Sequence, residues 1–252
     1  MTSPQLTILT GASRGMGLAI AQQLIAAGHD LLCISRKTNE ALSGLASHKG
    51  VACEQWPQDL TRPESAAAKL ESWLSLRDGA SLACVTLINN AGLLPRIAPL
   101  GEIPLGELSD ALRVDLEAPM LLTSAFLRAT SGWKAQRKIL NISSGLGRRA
   151  MASQAAYCGA KAGMDLFSRC VALEQAGRPN AARICSLAPG VIDTDMQVQL
   201  RSADSSQFPD IGNFIGLKDK GALASPQDAA AQVLAYLARA DFGANPVADI
   251  RD

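Results

Sequence analysis

Residues 6–20 read LTILTGASRGMGLAI. The first five, Leu6–Thr10, have strand character and run straight into Gly11, Gly15 and Gly17, after which a helical period covers Gly15–Ala27. Glycines at a strand-to-helix turn allow a tight bend and let a phosphate approach the backbone. The first helical turn then offers free N–H groups and a partial positive charge. The spacing is TGxxxGxG rather than GxGxxG. It predicts a βα unit in which Gly11, Ser13, Arg14, Gly15, Met16 and Gly17 cradle a dinucleotide diphosphate, Gly17 letting helix and strand pack closely. Taken alone, the same glycines suit any tight βα turn.

Outward from this turn the alternation repeats. Strands are expected at Asp30–Ser35, Val51–Trp56, Ala83–Asn89, Lys138–Ser143 and Ala182–Ala188, with a final short one at Pro246–Ile250. Helices are expected at Glu40–Ser47, Pro63–Leu76, Ser153–Glu174 and Pro226–Arg239, and one long helix at Leu105–Ala129 with a kink at Pro119. Strands separated by helices imply βαβ units. The expected fold is therefore α/β, a single Rossmann-type doubly wound parallel sheet with helices on both faces. No Pro/Gly/Ser linker divides the chain, so one domain is expected over 1–252. Residues 193–224 lack a strong period and follow a strand end, the place for a substrate lid.

The composition excludes several function classes. A formal net charge of +1 gives no electrostatic reason to expect nucleic acid or an anionic membrane. No apolar run reaches the roughly 18 residues of a membrane span, and no basic-then-apolar leader opens the chain. Six scattered cysteines without a CxxC pair suit free thiols in a reducing cytoplasm. Only His29 and His48 are present, without ligand-like spacing, so no metal site is expected.

The end of the second predicted strand selects the cofactor. An acid there usually holds a ribose 2′-hydroxyl, but the chain reads Ser35-Arg36-Lys37. Arg36 and Arg14 can both fork onto a 2′-phosphate, which favours NADPH/NADP+ over NADH; the alternative for each is a solvated surface cation. Asp59 and Leu60 follow the third strand. Asp59 either accepts from the adenine amino group or caps the next helix with Thr61.

Tyr157 and Lys161 are four residues apart on one helix face. An ammonium near a phenol stabilises the phenolate, so Lys161 is expected to lower the Tyr157 pKa and make the phenol a proton shuttle for a carbonyl oxygen that receives a hydride. Ser144 lies thirteen residues before Tyr157, at the carboxyl edge of the fifth strand, where a hydroxyl can hold that oxygen. Ser143 is the alternative, but consecutive strand residues point oppositely; Asn141 and Ser143 are read as structural.

These stretches together resemble the short-chain dehydrogenase/reductase family over nearly the whole chain. Thr10–Gly17, Asn89-Asn90-Ala91-Gly92, Ser144, Tyr157-xxx-Lys161 and Pro189-Gly190 stand in the family's order. The resemblance implies that Asn90, Ala91 and Gly92 border the cofactor. It also implies that Pro189, Gly190, Val191, Ile192 and Thr194 lie over the nicotinamide, and that Lys161 reaches its ribose. One position departs: the family's Asn in the long helix is Asp115 here. Asp is nearly isosteric but cannot donate from an amide, and its charge acts on Lys161.

Ala155–Glu174 and Ala188–Arg201 resemble bacterial benzil reductases and the related sepiapterin reductases, which reduce carbonyls beside or near a second carbonyl with NADPH. The chain's end, Gly243–Ile250, also resembles sepiapterin reductases, in which a late Asp can anchor the guanidine-like edge of a pterin; for Asp249 the preferred reading is a strand terminator. Leu146, Met151 and Met196 are expected to contact a small-molecule carbonyl substrate with Ser144 and Tyr157, and Leu93, Leu94, Leu200 and Phe208 to complete an apolar pocket suited to an aryl or alkyl ketone. Arg148 and Arg149 flank the Ser144 loop and meet either a polar substrate or only solvent. Small residues along the Tyr157 helix permit a close helix contact, and the resemblance implies a homodimer or homotetramer. The competing readings are a pterin side-chain reductase and an NADP-binding sensor with lapsed catalysis.

Overall fold

A computed structural model describes residues 4–251. Its strands are β1 (Gln5–Thr10), β2 (Asp30–Ser35), β3 (Cys53–Pro57), β4 (Cys84–Asn89), β5 (Gln136–Ile142), β6 (Arg183–Ala188) and β7 (Val247–Asp249). All neighbours pair in parallel, in the order β3-β2-β1-β4-β5-β6-β7. The helices are α1 (Gly15–Ala26), α2 (Glu40–Lys49), α3 (Pro63–Ser75), α4 (Leu105–Leu112), α5 (Ala118–Ala129), α6 (Ala155–Gln175), α7 (Asp195–Arg201), α8 (Ile211–Asp219) and α9 (Pro226–Ala238).

Alternate strand residues divide between two cores. Leu9, Cys33, Leu140 and Leu187 meet α1, α2 and α9 through Ile20, Leu42 and Val233 on one face. Ile8, Leu32, Leu87 and Ile139 meet α3, α5 and α6 through Leu70, Phe126 and Val171 on the other. Both faces are dry, which is why the strands read as nearly unbroken apolar runs. The strand order reverses between β1 and β4, and this opens a crevice at the carboxyl ends of the central strands.

Three local features differ from the sequence expectation. The long helix is interrupted: Arg113–Glu117 forms a wide π-turn between α4 and α5, and the Ala118 N–H reaches Arg113 O. Pro119 has no N–H for the carbonyl four residues back, so the disruption falls before the proline rather than at it. Helix α6 starts at Ala155, two residues later than expected, because Ser153 takes a left-handed φ of 61°. Residues 193–224 contain two short helices, α7 and α8. The two ends of this excursion are stitched by Asp193 N–H to Ala224 O (2.9 Å) and Ala224 N–H to Val191 O (3.0 Å).

Candidate active site

The glycine turn is built to lie against the end of β4. Gly11 has φ +71°, and a Cβ there would stand 2.9 Å from Ala91 Cα. On Gly17 a Cβ would stand 2.1 Å from Gly11 O, so this helix–strand approach admits only glycine. Thr10 Oγ1 accepts from the N–H groups of Asn90 (2.9 Å) and Ala91 (3.0 Å), and Asn90 Nδ2 donates back to Thr10 O (2.9 Å). The amino end of α1 has no side-chain cap and no acid in its first turn. Its free N–H groups open on a cavity of about 1420 Å³. An uncapped, acid-free helix start fits a diphosphate.

Gly11, Ser13, Arg14, Gly15, Met16, Gly17, Arg36, Asp59, Leu60, Asn90, Ala91 and Gly92 line one side of that cavity. Pro189, Gly190, Val191, Ile192 and Thr194 line it as well, and Thr194 Cγ2 is the nearest atom to a Cβ built on Gly15 (3.7 Å). The two expected arginines differ in state. Arg36 is exposed and makes no ion pair among the described residues, whereas Arg14 is paired with Asp195 at the start of α7. Asp59 Oδ1 accepts from Thr61 N–H (3.0 Å), the local turn that the sequence allowed as one alternative.

Tyr157 and Lys161 are 8% and 3% exposed, so this pair is withdrawn from bulk water. Lys161 Nζ donates to Ile142 O (3.0 Å) and stands 5.6 Å from the centre of the Tyr157 ring. Ser144, at the end of β5, turns its hydroxyl to Leu146 N–H (3.2 Å) beside the phenol. Ser143 is committed elsewhere: it donates to Asp165 Oδ1 (2.6 Å). Asp165 Oδ1 also accepts from Ser186 (2.7 Å), and Oδ2 from Arg148 Nε (3.2 Å). Arg148 continues to Ala248 O (2.8 Å), so one buried carboxylate ties α6 to β5, β6 and β7. Asn141 bonds Asn89 (2.8 Å) and Ser168 (2.9 Å), a structural role as expected.

The electrostatics correct one expectation. The Tyr157 phenol is pushed up rather than down: burial is the largest cause, Asp115 adds to it, and Ser144 pulls it partly back. Asp115 sits in the wide π-turn, fully buried behind the cavity wall. Its Oδ1 accepts from Leu93 N–H (3.0 Å) and stands 3.9 Å from Lys161 Nζ. Its carboxyl is pushed up to about 6, because burial outweighs Lys161 and the Leu93 N–H.

The phenol ring belongs to an apolar part of the wall. Leu146, Met151 and Met196 pack with Leu94, Ile97, Tyr157, Leu200, Phe208 and Phe214 as a third cluster. The sequence reading missed the contribution of α8, whose Asn213, Phe214 and Leu217 also line the cavity. The apolar spacing of Ile211, Phe214, Ile215 and Leu217 was the available signal. Asp249 ends β7, as expected, lines the cavity and pairs with Arg251 (2.6 Å).

A family profile described as short chain dehydrogenase matches residues 5–205. The chain belongs to this family. It is 34% identical over 235 residues to a benzil reductase ((S)-benzoin forming) of Bacillus cereus, covering 93% of this chain and 94% of the relative. It is 32% identical to a sepiapterin reductase of Xenopus tropicalis, covering 92% of this chain and 90% of the relative. Among solved structures, a metagenomic short-chain oxidoreductase in complex with NADP superposes with a TM-score of 0.72 at 27% identity, covering 97% and 94% of the two chains. The family and the doubly wound fold expected from the sequence are thus borne out. The protein is an oxidoreductase of carbonyl and hydroxyl groups that uses a nicotinamide cofactor.

Proposed function

We propose that the protein is an NADPH-dependent carbonyl reductase that reduces a ketone or an α-diketone such as benzil. The observation that carries this reading is the convergence of Ser144, Tyr157 and Lys161 on a cavity with an apolar cluster packed around the phenol ring. The bound cofactor supplies the hydride. Ser144 holds the carbonyl oxygen, and Tyr157 gives it a proton as charge develops there. Lys161, fixed by Ile142 O, orients the cofactor ribose. NADPH rather than NADH is supported by the unpaired Arg36 and the absence of an acid at 35–37.

The 193–224 segment serves as the lid of a single domain spanning 1–252, and the six free thiols suit a reducing cytoplasm. Leu105 and Leu112 on α4, Met120 on α5 and Leu166 and Leu173 on α6 are exposed, which supports burial of these helices in a homodimer or homotetramer. A second reading, a pterin side-chain reductase, is favoured by Asp249 in the cavity wall.

Following NADPH absorbance with benzil, 1-phenyl-1,2-propanedione and sepiapterin tests these readings. Turnover of the two diketones is expected; turnover of sepiapterin alone selects the second reading. Tight NADPH binding without turnover of any ketone overturns both in favour of a sensor.

A further inference from the structure

The wide turn at Arg113–Glu117 delivers a carboxyl group to the back of the Tyr157–Lys161 pair. Asp115 is fully buried, and its Oδ2 has no hydrogen-bond partner among the described residues. A half-satisfied buried carboxyl is costly, so its nearest charge indicates what it acts on. That charge is Lys161 Nζ, 3.9 Å away.

Most other charged groups lining this cavity are engaged with one another, Asp249 with Arg251 among them, while Arg149 is exposed and makes no ion pair among the described residues. From the β5 loop, Arg148 is bonded to Asp165 of α6. From the segment after β6, Asp193 is paired with Lys218 and Arg201, and Asp195 with Arg14. The turn after β4 presents only the Leu93 N–H to Asp115. Helix α6 brings Tyr157 and Lys161, with the Cys158 thiol turned toward Arg149 O. Asp115 and Lys161 are the buried charged pair beside the phenol.

An unopposed ammonium favours phenolate; a carboxylate beside it removes that preference. A protonated phenol is what carbonyl reduction consumes. The hydride adds to the carbonyl carbon, the π pair moves to oxygen, and the Tyr157 proton follows; solvent then reprotonates the phenolate. We propose that Asp115 balances the charge of Lys161 and so keeps Tyr157 a proton donor far into the alkaline range. Asp115 touches neither substrate nor cofactor in this role; it acts through Lys161 and Tyr157. The inference rests on the proton-donor reading of Tyr157 given above. The Asp115 carboxyl, pushed up to about 6, is ionised from neutral pH upward, where the effect operates.

The chain has two tyrosines, Tyr157 and Tyr236, so Tyr236→Phe leaves a single phenol to titrate by its ultraviolet absorbance in the NADPH-bound protein. In the Asp115→Asn, Tyr236→Phe protein that titration should fall by about 1–2 pH units relative to Tyr236→Phe alone. The alkaline limb of kcat/KM for ketone reduction should fall with it. Asp115→Glu, which keeps the charge, should hold the limb near its parent position. Asp115→Ser should move it as Asn does, and it carries the test if the Asn protein does not fold. A limb and a phenol titration unmoved in the uncharged variants overturn the inference, as does an equal shift in the Glu variant. Failure of the underlying reading looks different: Tyr157→Phe would then retain full turnover.

Discussion

Asp165 sits in a dry joint where α6 meets β5 and β6, whereas Asp193 holds the overhanging 193–224 segment from a wet surface. Asp165 collects Ser143, Ser186 and Arg148 with little water present. Asp193 collects Lys218 and Arg201 at the cavity mouth, and neighbouring Asp195 collects Arg14. Hydrogen bonds to a charged group contribute roughly 1.5–3 kcal/mol each when water is excluded. Exposed pairs contribute little and are screened by salt. The wall at the α6 joint is held by buried polar bonds, whereas the charged ties of the 193–224 wall are exposed and its packing is apolar, through Leu200, Phe208 and Phe214.

Four substitutions probe this contrast, in falling order of effect. Tyr157→Phe should lower ketone turnover by roughly a thousandfold while NADPH affinity, measured by fluorescence titration, changes less than about threefold. Asp165→Ala should cost about 3 kcal/mol, because it strands two hydroxyls and a guanidinium. A fall in Tm of about 6–12 °C is expected by calorimetry, and a fall of only a degree or two would erase the distinction between the walls. Arg36→Ala should raise the KM for NADPH by roughly ten- to a hundredfold and leave that for NADH nearly unchanged; equal effects on both would remove its 2′-phosphate role. Lys218→Met should shift Tm by less than about 2 °C and the ketone KM by less than about threefold, and raising the salt concentration in the parent should have a similarly small effect.

The two walls were also unequally legible. Strands and helices of the sheet announce themselves through long apolar runs such as Leu6–Leu9 and Cys84–Ile88, buried on both faces. Alternation alone separated Ser144 from Ser143, and the structure gives Ser143 to Asp165. The joint itself was hidden in AKAGMDLF, where a lone acid on the inner face of α6 was its only mark. The overhang was harder. Helix α7 holds seven residues, too few turns for a period to show, and the nine residues of α8 give only the short spacing of Ile211, Phe214, Ile215 and Leu217. The π-turn escaped because a proline acts on the carbonyl four residues behind it, so its effect fell at Asp115. Arg14 was read beside Arg36 because the sequence does not reveal that Asp195 swings across to meet it.

The short parallel bridge between Ile192 and Ala224 gives the overhang two adjacent roots. Everything between those roots leaves the sheet and returns to the same spot, so residues 195–223 form a single excursion. A change of length within it leaves the register of β6 against β5 and β7 in place. The inner face of the excursion is less separable, because its Leu200, Phe208 and Phe214 share one buried cluster with Tyr157.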